Sequence, residues 1–231
     1  MNLKNQVTVI TGGSQGFGKA LARAFSREGA RVVIASENRE LLESAANELG
    51  VDSFVTDVTS LDDVAKLAAY VVGKYGTIDV WVNNAGIQIA PSVIEEVDPT
   101  KLQKLFAVNF FGYFNGCQAV LPSMKIQNSG TIININSSAG LAGKPGISAY
   151  SASKFAVKGL TESLREEVKE TGIKIYGIFP GGMQTEIYKE KYPADFEEYM
   201  SVDYAIEKVM ENLNKSQSEA DLIIRRPVSK V

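Results

Sequence analysis

Histidine is absent from this 231-residue sequence, and cysteine and tryptophan occur once each. Without imidazole there is no His-based triad, no histidine zinc site and no imidazole proton shuttle. No metal site is expected. Acid–base chemistry has to come from Tyr, Lys, Asp, Glu or Cys. The single cysteine, Cys117, excludes an internal disulfide and suits a reducing compartment. Free Cys is usually a small buried apolar residue, and that is the plainer reading of this one. No apolar run is long enough to read as a membrane helix. The opening MNLKNQVTVI runs straight into a strand-like stretch, so no signal peptide is expected. An excess of basic charge is missing too. A net charge of −3 and a pI near 5.2 offer no face to nucleic acid or anionic membrane. The expectation is a cytoplasmic globular protein with neither as partner.

The chain does contain the alternation of an α/β domain. Its hydrophobic fraction is 45% and its charged fraction 22%, ordinary for a globular protein. Strand-like runs occur at Gln6–Thr11, Arg31–Ser36, Ser53–Val58, Ile78–Gly86, Thr131–Ser138, Ile173–Gly182 and Ala220–Arg225. Helical spacing occupies the stretches between them, including a long region, 101–125, with a bend expected near Gly112. Several strands are apolar throughout rather than alternating, as in a parallel sheet covered on both faces. Short strand–helix units predict a doubly wound fold, 1–231 as one domain, with ligands at the carboxyl ends of the strands.

The first strand ends in TGGSQGFGKA, Thr11 to Ala20. Gly13, Gly18 and Lys19 nearly spell a P-loop, but the position after the lysine is Ala20, which has no hydroxyl for Mg²⁺. Gly12, Gly16 and Gly18 also form a glycine turn between strand and helix, where free N–H groups favour a pyrophosphate. Thirteen residues after Ser137 comes YSASK, which sets Tyr150 and Lys154 four apart on one helix face. Chance is a poor account of all these features together.

With these motifs the chain resembles the short-chain dehydrogenase/reductase family over nearly all its length. TGGSQGFG is similar to the family's TGxxxGxG turn, and NNAG (Asn83–Gly86) to its fourth-strand signature. PGGMQT (Pro180–Thr185) matches the stretch beside the nicotinamide, and Asp57-Val58 the adenine side. The resemblance implies a Rossmann fold of about seven parallel strands in the order 3-2-1-4-5-6-7. It also implies a catalytic set of Asn109, Ser137, Tyr150 and Lys154. The cofactor-binding residues it implies are Gly12, Ser14, Gln15, Gly16, Phe17, Gly18, Ser36, Glu37, Asp57, Val58, Asn84, Ala85, Gly86, Tyr150, Lys154, Pro180, Gly181 and Thr185. Lys154 would bind the nicotinamide ribose, and Asn109 would hold a water that links Lys154 to solvent. A homodimer or tetramer is implied, with the helices 101–125 and 150–171 as its interface.

The implied reaction is hydride transfer between NAD(H) or NADP(H) and a small ketone or secondary alcohol. Free tyrosine titrates near 10, so Tyr150 needs the Lys154 ammonium to lower that value if it is to act as acid and base. Ser137 would hold the reacting oxygen. The cofactor signals conflict. Gln15 and Glu37 stand where NADP-preferring relatives carry arginines, and Ser36 where NAD-preferring ones carry Asp. Arg39 could favour a 2′-phosphate that Glu37 repels, and the balance tips to NAD(H). Residues 184–200 are expected to form a substrate lid. The competing reading is a non-catalytic dinucleotide sensor or scaffold, although such a protein would not need both Tyr150 and Lys154.

Overall fold

The computed structural model describes residues 1–227, so the last four residues of the expected domain, 228–231, lie outside it. Seven strands form one sheet: β1 (Val7–Thr11), β2 (Arg31–Ser36), β3 (Asp52–Val55), β4 (Val80–Asn83), β5 (Gly130–Ile135), β6 (Ile173–Pro180) and β7 (Asp221–Ile224). Their order is β3-β2-β1-β4-β5-β6-β7 and every pairing is parallel. Val9 stands beside Val33, Ile10 beside Val82, and Val82 beside Ile133. The strand order is the one implied by the resemblance.

The sheet is buried because helices cover both faces. On one side α1 (Gly16–Arg27), α2 (Arg39–Leu49) and α7 (Val202–Asn214) bring Leu21, Phe25, Leu42, Ile206, Val209 and Leu213 against Ile10, Ile34 and Ile133. On the other, α3 (Leu61–Tyr75), α5 (Gly112–Gln127) and α6 (Ser148–Val168) bring Leu67, Val71, Val120, Met124 and Leu164 against Val9, Val33 and Trp81. Each fully buried Leu, Ile, Val or Phe side chain contributes roughly 1.5–3 kcal/mol. This accounts for strands that are apolar on both faces.

Local chemistry sets the helix ends. The side chains of Asn38, Ser60, Asp98 and Ser201 each cap a helix by accepting a backbone N–H of its first turn. The expected bend near Gly112 is a π-helical turn, Ala107–Phe111, between α4 (Pro99–Phe106) and α5. Turns of this kind inside helices are frequent at functional sites. β3 stops at Val55 rather than Val58, because the Asp57 side chain accepts the Thr59 N–H and folds the chain into a turn.

Candidate active site

Where β1 meets α1 the backbone has to make an approach that only glycine permits. Gly12 has φ +65°, and a side chain there would come within 2.8 Å of the Ala85 backbone. A Cβ on Gly18 would lie 2.3 Å from the Gly12 carbonyl oxygen. Asn84 locks this turn to the end of β4 by donating to the carbonyls of Thr11 (2.8 Å) and Gly12 (3.1 Å). Close backbone approach at a helix N-terminus is what a pyrophosphate requires, so the residues present fit a dinucleotide.

A cavity of about 490 Å³ runs from this turn along the carboxyl ends of the strands, within the size range of ligand sites. Every cofactor residue expected from the sequence lines it: Gly12, Ser14, Gln15, Gly16, Phe17, Gly18, Ser36, Glu37, Asp57, Val58, Asn84, Ala85, Gly86, Tyr150, Lys154, Pro180, Gly181 and Thr185. Ser137 lines it as well. Asn109 does not. It is fully buried behind the wall, where its side chain accepts the Ile87 N–H (2.8 Å) and donates to the Ile87 carbonyl (2.9 Å) and Ser153 Oγ (3.2 Å). Both of its amide hydrogens are therefore taken, and one oxygen lone pair is left.

Ser137 follows β5, and its Oγ accepts the Ala139 N–H at 3.1 Å. Tyr150 and Lys154 sit on the first turns of α6, one above the other. Lys154 is buried, and its Nζ donates to the Ile135 carbonyl (3.1 Å) and to the Tyr113 hydroxyl (3.4 Å). Among the described residues it forms no ion pair within 4.0 Å, and burial pushes its pKa down to about 7. Burial likewise pushes Tyr150 up to about 12, with the Ser137 hydroxyl pulling it the other way. The lowering of Tyr150 expected from Lys154 is therefore not what this chain alone produces. Burial sets both values: it raises the phenol and disfavours the lysine charge in the same wall.

At the second strand the Ser14 hydroxyl donates to Ser36 Oγ at 3.1 Å. Glu37 is exposed on the cavity rim. Arg39 points elsewhere and pairs with Glu43 at 3.2 Å.

Residues 184–200 form a looped flap over the cavity, with Thr185 and Glu186 beside Gly16 of the glycine turn. Its stem is zipped shut: the Gln184 N–H donates to the Met200 carbonyl (3.0 Å) and the Met200 N–H to the Gly182 carbonyl (3.1 Å). Glu190 reaches the opposite wall and accepts from the Ala90 N–H (3.2 Å) and Lys101 (3.0 Å). At the flap's far side Arg226 pairs with Asp195 (2.7 Å) and Glu198 (3.1 Å) and stacks 4.8 Å from the Tyr199 ring centre. Sequence reasoning located this segment and Thr185 within it, but not its other contributors, since it carries no helical or strand period. Ile187, Tyr188 and Glu190 from the flap line the cavity, as do Ile87, Ile89 and Asn136 from the body.

Among the described residues no group of His, Cys, Asp or Glu is arranged to hold a metal ion, and no helix is long and apolar enough to cross a membrane.

Comparison with known proteins agrees with this geometry. The model of the short chain dehydrogenase family matches residues 6–215. An uncharacterized oxidoreductase of Staphylococcus aureus (strain USA300) is 37% identical over 196 residues, 84% of each chain. An alcohol dehydrogenase of the archaeon Thermococcus sibiricus, solved with 5-hydroxy-NADP, superposes with a TM-score of 0.88 at 26% identity, covering 99% of each chain. A 3-ketoacyl-(acyl-carrier-protein) reductase of Brucella melitensis, solved with NADH, gives a TM-score of 0.88 at 25% identity over 96% of this chain and 97% of its own. Glycine turn, parallel sheet and family match together place the chain in the short chain dehydrogenase family, as an NAD(P)-dependent dehydrogenase or reductase.

Proposed function

We propose that this enzyme interconverts a small ketone and its secondary alcohol, with Tyr150 as general acid in reduction and general base in oxidation. The observation that carries the reading is that Ser137 and Tyr150 open into the same cavity as the glycine turn, with Lys154 in its wall. The nicotinamide, when bound, supplies or takes up the hydride. The rest falls to the chain. With its pKa pushed up to about 12, Tyr150 holds its proton at neutral pH, the form needed to protonate an oxyanion. Ser137 donates a hydrogen bond to that oxygen and fixes its position.

Lys154, at about 7, changes charge near neutrality. When protonated it favours the Tyr150 phenolate that oxidation requires. Asn109, whose side-chain oxygen keeps one lone pair beyond the Ile87 N–H, would hold the water that links Lys154 to solvent. Residues 184–200 act as the lid that excludes bulk water from the reaction.

Within this reading the preferred coenzyme is NAD(H). A 2′-phosphate would meet the Glu37 carboxylate on the rim, while Arg39, the cation that could welcome it, is held by Glu43. The enzyme would assemble as a dimer or tetramer through α4–α5 and α6, where Phe111, Phe114 and Phe155 are exposed. The test is a panel of small ketones and secondary alcohols assayed with NADH, NADPH and their oxidised forms, followed by nicotinamide absorbance. Turnover with NAD(H) favoured supports the reading. Tight coenzyme binding with no turnover on any carbonyl or alcohol would return the chain to the sensor class.

A further inference from the structure

Tyr188 is a second phenol facing the reaction space, and nothing in the acid–base scheme uses it. It stands in the first short helical turn of the flap, Glu186–Tyr188, and lines the same cavity as Ser137 and Tyr150. A tyrosine on a loose surface loop would mean little, but this one is held in place. Phe196 packs edge-on against its ring at 5.9 Å and 73°, and Tyr199 at 5.5 Å and 68°. Phe196 is in turn flanked by Tyr192 at 4.8 Å, and Tyr199 is backed by the Arg226 guanidinium. The zipped stem at Gln184 and Met200 fixes the base of this cluster.

Among the described residues no acceptor takes a hydrogen bond from the Tyr188 hydroxyl. The Met183 N–H approaches it instead, which occupies a lone pair and leaves the proton free. Burial first, and then the nearness of Tyr150, hold the Tyr188 phenol well above its usual range. It therefore keeps its proton, and stays a donor, at neutral pH. Ile87, Ile89, Met183 and Ile187 line the same cavity, together with polar groups such as Lys101 and Glu190, which already hold each other at 3.0 Å.

Resting on the ketone reading above, we propose that Tyr188 is a specificity-determining residue that donates a hydrogen bond to a second oxygen of the substrate. The substrate class it selects is a ketone, or the matching alcohol, with a carbonyl or hydroxyl one or two carbons from the reacting carbon. Tyr150 serves the reacting oxygen and Tyr188 the neighbouring one. A plain ketone offers the Tyr188 donor no acceptor, and a site built to hydrogen-bond a second substrate oxygen discriminates against the analogue that lacks it.

Tyr188→Phe removes the hydroxyl and keeps the ring that packs on Phe196 and Tyr199. Reduction of diacetyl and acetylacetone is compared with that of butanone in wild type and variant. The expected result is that kcat/KM falls about three- to tenfold more for the dicarbonyls than for butanone, the range one neutral hydrogen bond supports. The pH dependence of kcat around neutrality should not move, since Tyr188 holds its proton there. An equal loss on all three ketones, no loss on any, or a displaced pH profile would overturn the assignment. Should the wild type reduce none of them, the ketone reading fails first. A thermal-shift comparison of diacetyl with butanone, on both proteins with NADH present, then decides the contact separately: a diacetyl-specific shift lost in Tyr188→Phe keeps it, and no difference removes it.

Discussion

The Lys154 Nζ lies 5.9 Å from the centre of the Tyr150 ring, one helical turn away on the same face of α6. Among the described residues neither group has a carboxylate partner, and both are buried. The pair therefore rests at neutral pH as a protonated phenol beside an amine that titrates near 7. The chemistry proposed above depends on how that balance moves.

Stability should report it. The folded pKa of Lys154, about 7, lies below its ordinary value of 10.5. Between those values the unfolded chain binds the extra proton, so this group makes stability rise with pH across that window, by up to about 1.4 kcal/mol per unit. Below about 7 both states are protonated and its slope is zero. Denaturant titrations of wild type and Lys154→Met between pH 6 and pH 9 should therefore diverge, the wild type gaining stability relative to the variant as pH rises. Parallel curves would mean that Lys154 is charged in the fold at all these values.

Gly18→Ala should damage the coenzyme site without touching any catalytic side chain. The new methyl group would meet the Gly12 carbonyl oxygen at 2.3 Å and Asn84 Nδ2 at 2.4 Å. Forced repacking of this kind costs about 1–3 kcal/mol, so the melting temperature falls. NADH affinity, read by nicotinamide fluorescence, should fall at least about tenfold, which corresponds to about 1.4 kcal/mol. Unchanged affinity would place the pyrophosphate elsewhere.

Much of this site was legible in the sequence because its parts lie at fixed offsets along regular elements. Gly12, Gly16 and Gly18 sit at a strand–helix junction, and Tyr150 and Lys154 are one helical turn apart. Strand order followed from the family resemblance, and burial of the strands from their apolar runs. What escaped reading depends on contacts distant in sequence. Tyr188 lies in an irregular flap without period, and its role comes from Phe196, Tyr199 and Tyr150. The depressed pKa of Lys154 comes from the wall formed by Tyr113 and β5. The π-helical turn that buries Asn109 was foreshadowed only as a bend at Gly112, and nothing local announces the Ile87 backbone as its partner.

Glu37→Arg should turn the coenzyme preference toward NADPH. The change replaces a rim carboxylate by a guanidinium where the adenine ribose is proposed to lie. The ratio of NADPH to NADH affinity is expected to rise about tenfold or more, equivalent to about 1.4 kcal/mol or more. If the ratio stays where it is in the wild type, Glu37 faces solvent and the selectivity resides elsewhere.

Arg226→Ala should loosen the flap and leave the body intact. Its partners Asp195 and Glu198 are exposed ion pairs, each worth about 1 kcal/mol or less to global stability. The melting temperature should barely change. Tryptic cleavage after Lys189 and Lys191, both exposed on the flap, should quicken severalfold, because the Tyr199 ring loses the cation that backs it. Identical cleavage rates would show that the aromatic cluster alone holds the flap.

The most direct test of the central claim is Tyr150→Phe, measured twice on the same preparation: NADH binding by nicotinamide fluorescence, and turnover on whichever ketone the wild type reduces best. The phenol hydroxyl is the only group removed, and general acid catalysis of this kind contributes roughly 10²–10⁴-fold. Binding within about twofold of wild type, with turnover down by at least about a hundredfold, is the predicted result. Turnover at the wild-type rate would contradict the role of Tyr150, and with it the account of how this site performs its chemistry.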